Sequence, residues 1–223
     1  MLLIGTVLIA AALMGCGAKS QAAGESFAMT MAGHLSRLDS ITSSPRVLFL
    51  GSSTFQALDT AAVTPKALNL SIGGETLTEL GKRVSSYRNV KVALATVLNS
   101  GFNDLASNCQ ALNRAQLDAL LDQLPQHAPL LVLGLQTPSE GVLANRCAGR
   151  LEALIQEANS ALKAVCESRA HCRFINHPTS LATASQRADL LSQDGIHLST
   201  LGYDHLVKVL RGALPENLRA KGD

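Results

Sequence analysis

Arg46-Val47-Leu48-Phe49-Leu50-Gly51-Ser52-Ser53-Thr54 is the stretch on which the fold turns. Four apolar residues in succession stop at a glycine followed by three small hydroxyl residues. The run is too short for a buried helix and reads as a buried strand that empties into a tight turn. In an open α/β sheet the ligand lies beyond the carboxyl ends of the strands, so a serine just past such a strand points towards the expected site. Ser53 is the candidate nucleophile, with Ser52 as the alternative. By itself a Gly-Ser turn is common, and the reading depends on partners elsewhere in the chain.

Working outward, further short apolar runs at Ala67 to Leu70, Val90 to Leu98, Pro129 to Leu135 and Arg173 to Asn176 are expected strands. Between them lie segments of helical spacing. Met31, Leu35, Leu38 and Ile41 mark a helix over Met29 to Ile41. Others are expected over Thr76 to Val84, Gln116 to Leu124, Leu151 to Val165 and Leu201 to Leu210. Strands alternating with helices imply right-handed crossovers, so the expected fold class is α/β, a three-layer α/β/α domain with a mainly parallel five-stranded sheet. At 223 residues the chain fits one such domain. The net charge is +2 and the charges are spread along the chain, which gives nucleic acid no basic stripe to bind. Aromatic residues make up 3% and Trp is absent, so a stacking platform for sugars or bases is not expected and the core must be mainly Leu, Ala, Val and Ile.

The chemistry sits in four strand-end segments. They are Gly51-Ser52-Ser53, Asn69-Leu70-Ser71-Ile72-Gly73-Gly74, Gly101-Phe102-Asn103-Asp104 and Asp194-Gly195-Ile196-His197. Taken singly, Asp194 could begin a turn, His197 could be a packed histidine, and Gly74 and Asn103 could be ordinary turn residues. In this order, each at an expected strand end or loop, they resemble the serine, glycine, asparagine and histidine blocks of the SGNH hydrolases, also called the GDSL family. The resemblance runs from about Val47 to Leu210 and implies a flavodoxin-like SGNH hydrolase architecture. A serine hydroxyl needs an adjacent base, and the base needs a group that fixes its tautomer. The resemblance assigns these roles to Ser53, His197 and Asp194. It assigns the oxyanion hole to the Ser53 amide, the Gly74 amide and the Asn103 side chain. Ser52 stands where the family usually carries Asp. That aspartate is not the triad acid, so the catalytic set is retained while the hydrogen bonding of the turn changes. The remaining histidines, His34, His127, His171, His177 and His205, lie outside the blocks and read as surface or packing residues.

Residues Met1 to Met14 are almost wholly apolar and end at Leu13-Met14-Gly15-Cys16, which resembles the lipobox of bacterial lipoprotein signal peptides, although no Lys or Arg precedes Cys16. The expected organisation is a signal peptide over 1–15, a lipid-attached linker over 16–28 and the hydrolase domain over 29–223. A buried N-terminal helix is the alternative. Lipidation at Cys16 would place the protein in the bacterial cell envelope, on the periplasmic face, with the outer membrane favoured where the organism has one. Four further cysteines permit two disulfides in an oxidising space. Cys166 with Cys172 is preferred across a short helix-to-strand connection. Cys109 with Cys147 follows, since both lie in loops on the active-site side.

The sequence thus predicts an ester hydrolase acting through an acyl-serine intermediate on an envelope polysaccharide or lipid ester. An acyltransferase with the same serine chemistry and a non-catalytic lipoprotein of the same fold are the alternatives. The partners expected are a small-molecule, glycan or lipid ester and, through the lipid anchor, a membrane. A monomer is expected, with no nucleic acid, metal or cofactor. Neither a phosphate-binding Gly-x-x-x-x-Gly-Lys loop nor a His-Glu-x-x-His pair is present.

Overall fold

A computed structural model describes residues 27–220. Cys16 and the expected leader lie outside the described residues. The chain begins with helix α1 over 27–41 and then alternates. The strands are β1 (Val47–Gly51), β2 (Ala67–Asn69), β3 (Ala95–Asn99), β4 (Leu130–Leu133) and β5 (Cys172–Ile175). The helices after α1 are α2 (Ser53–Gln56), α3 (Thr60–Val63), α4 (Leu77–Val84), α5 (Phe102–Asn108), α6 (Arg114–Leu121), α7 (Glu140–Asn145), α8 (Leu151–Glu167), α9 (Pro178–Leu181), α10 (Ala184–Leu190) and α11 (Thr200–Ala213). All strand pairs are parallel, in the order β2-β1-β3-β4-β5.

Burial on both faces explains why the strands read as continuous apolar runs rather than as alternating ones. In β1, Leu48 and Leu50 enter one core and Val47 and Phe49 the other. In β4, Leu130 and Val132 face the first core and Leu131 and Leu133 the second. The first core is roofed by α1, α4, α5, α6 and α8 through Leu35, Leu80, Leu105, Leu117 and Ile155. The second is closed by Phe55 of α2, Val63 of α3, and Leu206 and Leu210 of α11. The expected three-layer architecture is therefore present.

One strand is shorter than its apolar run implies. The apolar segment from Val90 to Leu98 becomes strand only from Ala95, and Asn89–Val92 forms a 3-10 turn. The cause is tertiary. Buried Asp39 at the end of α1 accepts from the Arg88 amide at 2.8 Å, the Asn89 amide at 3.1 Å and the Asn89 side chain at 2.9 Å, which ties this segment to α1 before the strand can begin. Both expected disulfides are formed, Cys109 to Cys147 and Cys166 to Cys172.

The sheet order fixes where a ligand can sit. From β1 the chain crosses to β2 on one side and next to β3 on the other, so the crossovers diverge and a crevice opens at the carboxyl ends of these strands. Ser53, Gly74 and Asn103 follow β1, β2 and β3 respectively.

Candidate active site

At the end of β1 the chain passes so close to β3 that a Cβ on Gly51 would strike the Asn99 carbonyl, which explains the glycine. The Ser52 amide donates to that carbonyl at 3.3 Å and Ser52 is buried. Ser53 opens α2, and its Oγ lies 3.0 Å from His197 Nε2. Of the two serines, it is Ser53 whose hydroxyl meets the imidazole.

His197 and Asp194 come from the loop between α10 and α11. Gly195 sits there at φ +69°, in the left-handed region that favours glycine. The loop is closed by the Ser192 amide donating to the His197 carbonyl at 2.8 Å. Asp194 Oδ1 accepts from the Ile196 and His197 amides, each at 2.9 Å, and from the Ser192 hydroxyl at 2.7 Å. Oδ2 lies 2.5 Å from His197 Nδ1. The His197 imidazole, together with these amides and the Ser192 hydroxyl, holds the Asp194 carboxyl far below the usual carboxylate range. An ionised carboxylate only accepts, so Nδ1 carries a proton and donates it, which leaves Nε2 of the neutral ring as the acceptor facing Ser53. This arrangement can take the proton of the Ser53 hydroxyl.

On the other side of Ser53 lies the turn after β2. Gly74 adopts φ +82°, a conformation that disfavours any side chain. Among the described residues, neither the Ser53 amide nor the Gly74 amide donates to another part of the chain. Asn103 donates one amide hydrogen to the Glu75 carbonyl at 3.0 Å, which sets its side chain beside Gly74 and leaves the second hydrogen for another acceptor. The three expected oxyanion donors are thus brought together at the carboxyl ends of β1, β2 and β3.

Several further side chains support this arrangement, and of these Asp104 alone stands in one of the four blocks. Asp104 accepts from the Leu77 amide at 3.1 Å, so two consecutive residues of α5 stitch it to the turn that carries Gly74. The Gln56 side chain accepts from the Gly73 amide. Beneath the same turn, buried Glu75 is held in a two-point pair by Arg83, through Nε at 2.7 Å and Nη2 at 2.5 Å. Arg83 also donates to the Leu70 carbonyl at 2.7 Å and to the Tyr87 hydroxyl. Glu75 and Arg83 are eight residues apart, a spacing that no periodicity singles out. Ser192 could have been suspected only from its place two residues before Asp194. Among the described residues, no group of three His, Cys, Asp or Glu side chains is placed to hold a metal ion.

No curated protein matches the sequence. The solved structures do show relatives of the fold. A Streptococcus pneumonia protein provisionally described as a platelet activating factor aligns with TM-score 0.80 at 19% identity, over 91% of this chain and 99% of its own. A GDSL-like lipase from Bacteroides thetaiotaomicron aligns with TM-score 0.66 at 17% identity, over 84% and 98%. An acetylxylan esterase from Geobacillus stearothermophilus aligns with TM-score 0.59 at 16% identity, over 81% and 99%. At such identities the likeness is one of fold. The family is given by sequence, because the model of the GDSL-like lipase/acylhydrolase family matches residues 39–205 and so spans all four blocks. The chain belongs to the GDSL-like lipase/acylhydrolase family.

Proposed function

We propose that the protein is a serine ester hydrolase in which Ser53 is the nucleophile, His197 the general base and Asp194 the group that orients it. The observation that carries this reading is the unbroken relay from Ser53 Oγ to His197 Nε2 at 3.0 Å and from His197 Nδ1 to Asp194 at 2.5 Å, beside two amides that have no partner among the described residues. As Ser53 Oγ attacks the ester carbonyl, its proton passes to His197 Nε2. The resulting imidazolium faces the Asp194 carboxylate. The carbonyl oxygen becomes an oxyanion that accepts from the Ser53 amide, the Gly74 amide and Asn103 Nδ2. Collapse expels the alcohol, which takes the proton from His197 and leaves an acyl group on Ser53. Water, deprotonated by the same imidazole, then attacks the acyl carbon, and breakage of the bond to Ser53 releases a carboxylic acid as His197 Nε2 returns the proton to Ser53 Oγ.

The proposed home is the bacterial cell envelope, by a lipid on Cys16, where an oxidising space would favour both disulfides. The test of the chemistry is hydrolysis of a nitrophenyl ester by wild type, Ser53→Ala and Ser52→Ala. Loss of turnover in Ser53→Ala with retention in Ser52→Ala is the expected result. Wild-type turnover in a folded Ser53→Ala protein would refute it. Changing Cys16 to Ser tests the tether, and wild-type protein recovered wholly soluble with Met1 intact counts against lipidation.

A further inference from the structure

We propose that Thr179, acting through the segment 134–139 that follows β4, positions the loop carrying Asp194 and His197. The inference rests on the serine chemistry above and makes Thr179, which lies outside the four blocks, a positioning residue. Residues 134–138 are buried although they form neither strand nor helix. A buried segment of this kind must find partners for its backbone groups elsewhere in the fold. The Gly134 amide donates to the Ile175 carbonyl at 2.8 Å, and the Leu135 amide donates to the Asn159 side chain at 2.7 Å. The Thr137 amide donates to Thr179 Oγ1 at 2.9 Å, and the Pro138 carbonyl accepts from Arg187 of α10 at 3.3 Å. The segment is a strap laid from the end of β4 to the start of α7, and it ends on the catalytic loop, where the Ser139 amide donates to the Gly195 carbonyl at 2.8 Å.

That last contact is tight. Gly195 directly follows Asp194, and a Cβ on it would lie 2.2 Å from Ser139 Oγ and 3.2 Å from Val142 Cγ2, so the loop is pressed onto the start of α7. The far end of α7 is anchored too. Cys147, just beyond it, is bonded to Cys109, which follows α5, the helix that carries Asn103. Gly195 is therefore seated on a residue tied to the sheet on one side and to the oxyanion half of the site on the other.

Thr179 grips the strap at its middle, and its own orientation is set by His177. Both side chains are wholly buried. His177 Nδ1 accepts from the Thr179 amide at 3.3 Å, so this nitrogen bears no proton and the Thr179 hydroxyl, 2.9 Å away, donates to it. Burial pushes the imidazole down to about 3, which keeps that acceptor in place. With its hydrogen committed to the ring, Thr179 Oγ1 presents its lone pairs to the Thr137 amide. His177 Nε2 has no partner among the described residues, so the side-chain hydrogen bonds of this ring go to Thr179 alone. Leaving a buried nitrogen unpaired is costly. What the ring supplies in return is the direction of one hydroxyl, and through it the place of the strap that bears Gly195.

The experiment compares Thr179→Val, which keeps the volume of the side chain and removes the hydroxyl, with Thr179→Ser, which keeps the hydroxyl and removes a methyl. On one nitrophenyl ester, Thr179→Val should lower kcat by about tenfold to a hundredfold with KM little changed, the loss expected when a catalytic group is displaced by about 1 Å. Thr179→Ser should hold kcat within about threefold of wild type even where the lost methyl lowers its melting temperature. Wild-type kcat in Thr179→Val, or an equal loss in the two variants, overturns the proposal. A second pair tests the seat itself. Gly195→Ala drives a methyl into Ser139 Oγ and should lose turnover, and Gly195→Ala/Ser139→Gly should recover about fivefold or more of that loss. No recovery shows that Ser139 does not seat the loop. Amide hydrogen exchange reads the same loop without any substrate. In Thr179→Val the Ser139, Ile196 and His197 amides should exchange about tenfold faster relative to the Leu206 and Leu210 amides of α11. Uniform acceleration marks a general loss of stability and overturns the proposal. Local acceleration in a protein whose wild type cleaves no ester instead removes the hydrolase reading and leaves the seating of the loop standing.

Discussion

Asn103→Ala separates a catalytic donor from a loop residue, and the geometry gives a magnitude for each. In the resting protein one hydrogen of the Asn103 amide is held by the Glu75 carbonyl at 3.0 Å. Losing that bond alone removes about 1 kcal/mol of stability, which in a domain of this size lowers the melting temperature by roughly 2–4 °C. A residue that only shapes the loop would show that shift and little else. If the second hydrogen meets the oxyanion, a further loss of about 3 kcal/mol falls on the transition state and not on bound substrate. The expected result is therefore a drop in kcat of about a hundredfold or more with KM little changed. Asn103→Asp should fall further, because an ionised carboxylate donates nothing and sets a negative charge beside both the Glu75 carbonyl and the oxyanion. The assay is steady-state hydrolysis of one ester by the three proteins, each with its melting curve. An Asn103→Ala protein that melts a few degrees lower and keeps wild-type kcat refutes the assignment.

Arg83→Met strands Glu75, only 7% exposed, as a buried charge without its partner and should destabilise the fold by about 3–5 kcal/mol. The double variant Glu75→Leu/Arg83→Met should recover most of that loss in denaturant titrations, and a double variant no more stable than Arg83→Met contradicts the reading. His177 is fully buried, and burial pushes its imidazole down from 6.5 to about 3. Between those values the unfolded chain binds a proton that the folded one refuses, so stability is held above pH 6.5 and lost as the pH falls. His177→Gln should remove about 2–3 kcal/mol of the destabilisation that wild type suffers between pH 7 and pH 4.5, and equal acid sensitivity in the two proteins shows that another group carries it. Replacing both cysteines of the Cys109–Cys147 pair, 38 residues apart, should cost up to about 4 kcal/mol, against about 2 kcal/mol for Cys166–Cys172 at a separation of 6. Equal losses from the two pairs would show that loop closure is not what these bridges contribute.

The part of the site legible in the sequence is the part encoded locally. The first three blocks carry their turn chemistry at the ends of their own apolar runs, the fourth carries its turn in the loop after α10, and Gly74, Gly101 and Gly195 all adopt the positive φ that makes glycine necessary there. Helix starts were legible within a residue or two where a capping side chain exists. Thr76 with Glu79 opens α4, and Ser199 opens α11. What stayed hidden depends on residues remote in sequence. The start of β3 is set by Asp39, about fifty positions earlier. The Glu75–Arg83 pair, the Gln56 contact to Gly73 and the Thr179 contact to Thr137 exist only once the layers have packed. Short helices such as α3, α9 and α10 escaped because segments of four to seven residues hold too few turns to show a period.

The two halves of the site are secured by different means, and this bears on which of them is the softer. Ser53, Gly74 and Asn103 follow three neighbouring strands, so sheet hydrogen bonding sets their spacing before any side chain acts. Asn103, Asp104 and Gln56 then lock the three turns to one another. His197 has no such frame, because its loop begins beyond α10 and leads into α11. A single bridge between Leu191 and Leu198 closes it, and the Ser199 amide donates to the Leu190 carbonyl at 3.0 Å. Gly202 serves the same purpose, since a Cβ there would strike the Leu190 carbonyl that α11 lies against. The separation between Ser53 and His197 therefore depends on how α11 seats on the second core through Leu206 and Leu210, and on the Ser139 amide after β4, which donates to the Gly195 carbonyl at 2.8 Å. The oxyanion side is built into the sheet, and the base is hung on a helix and a loop packed against it.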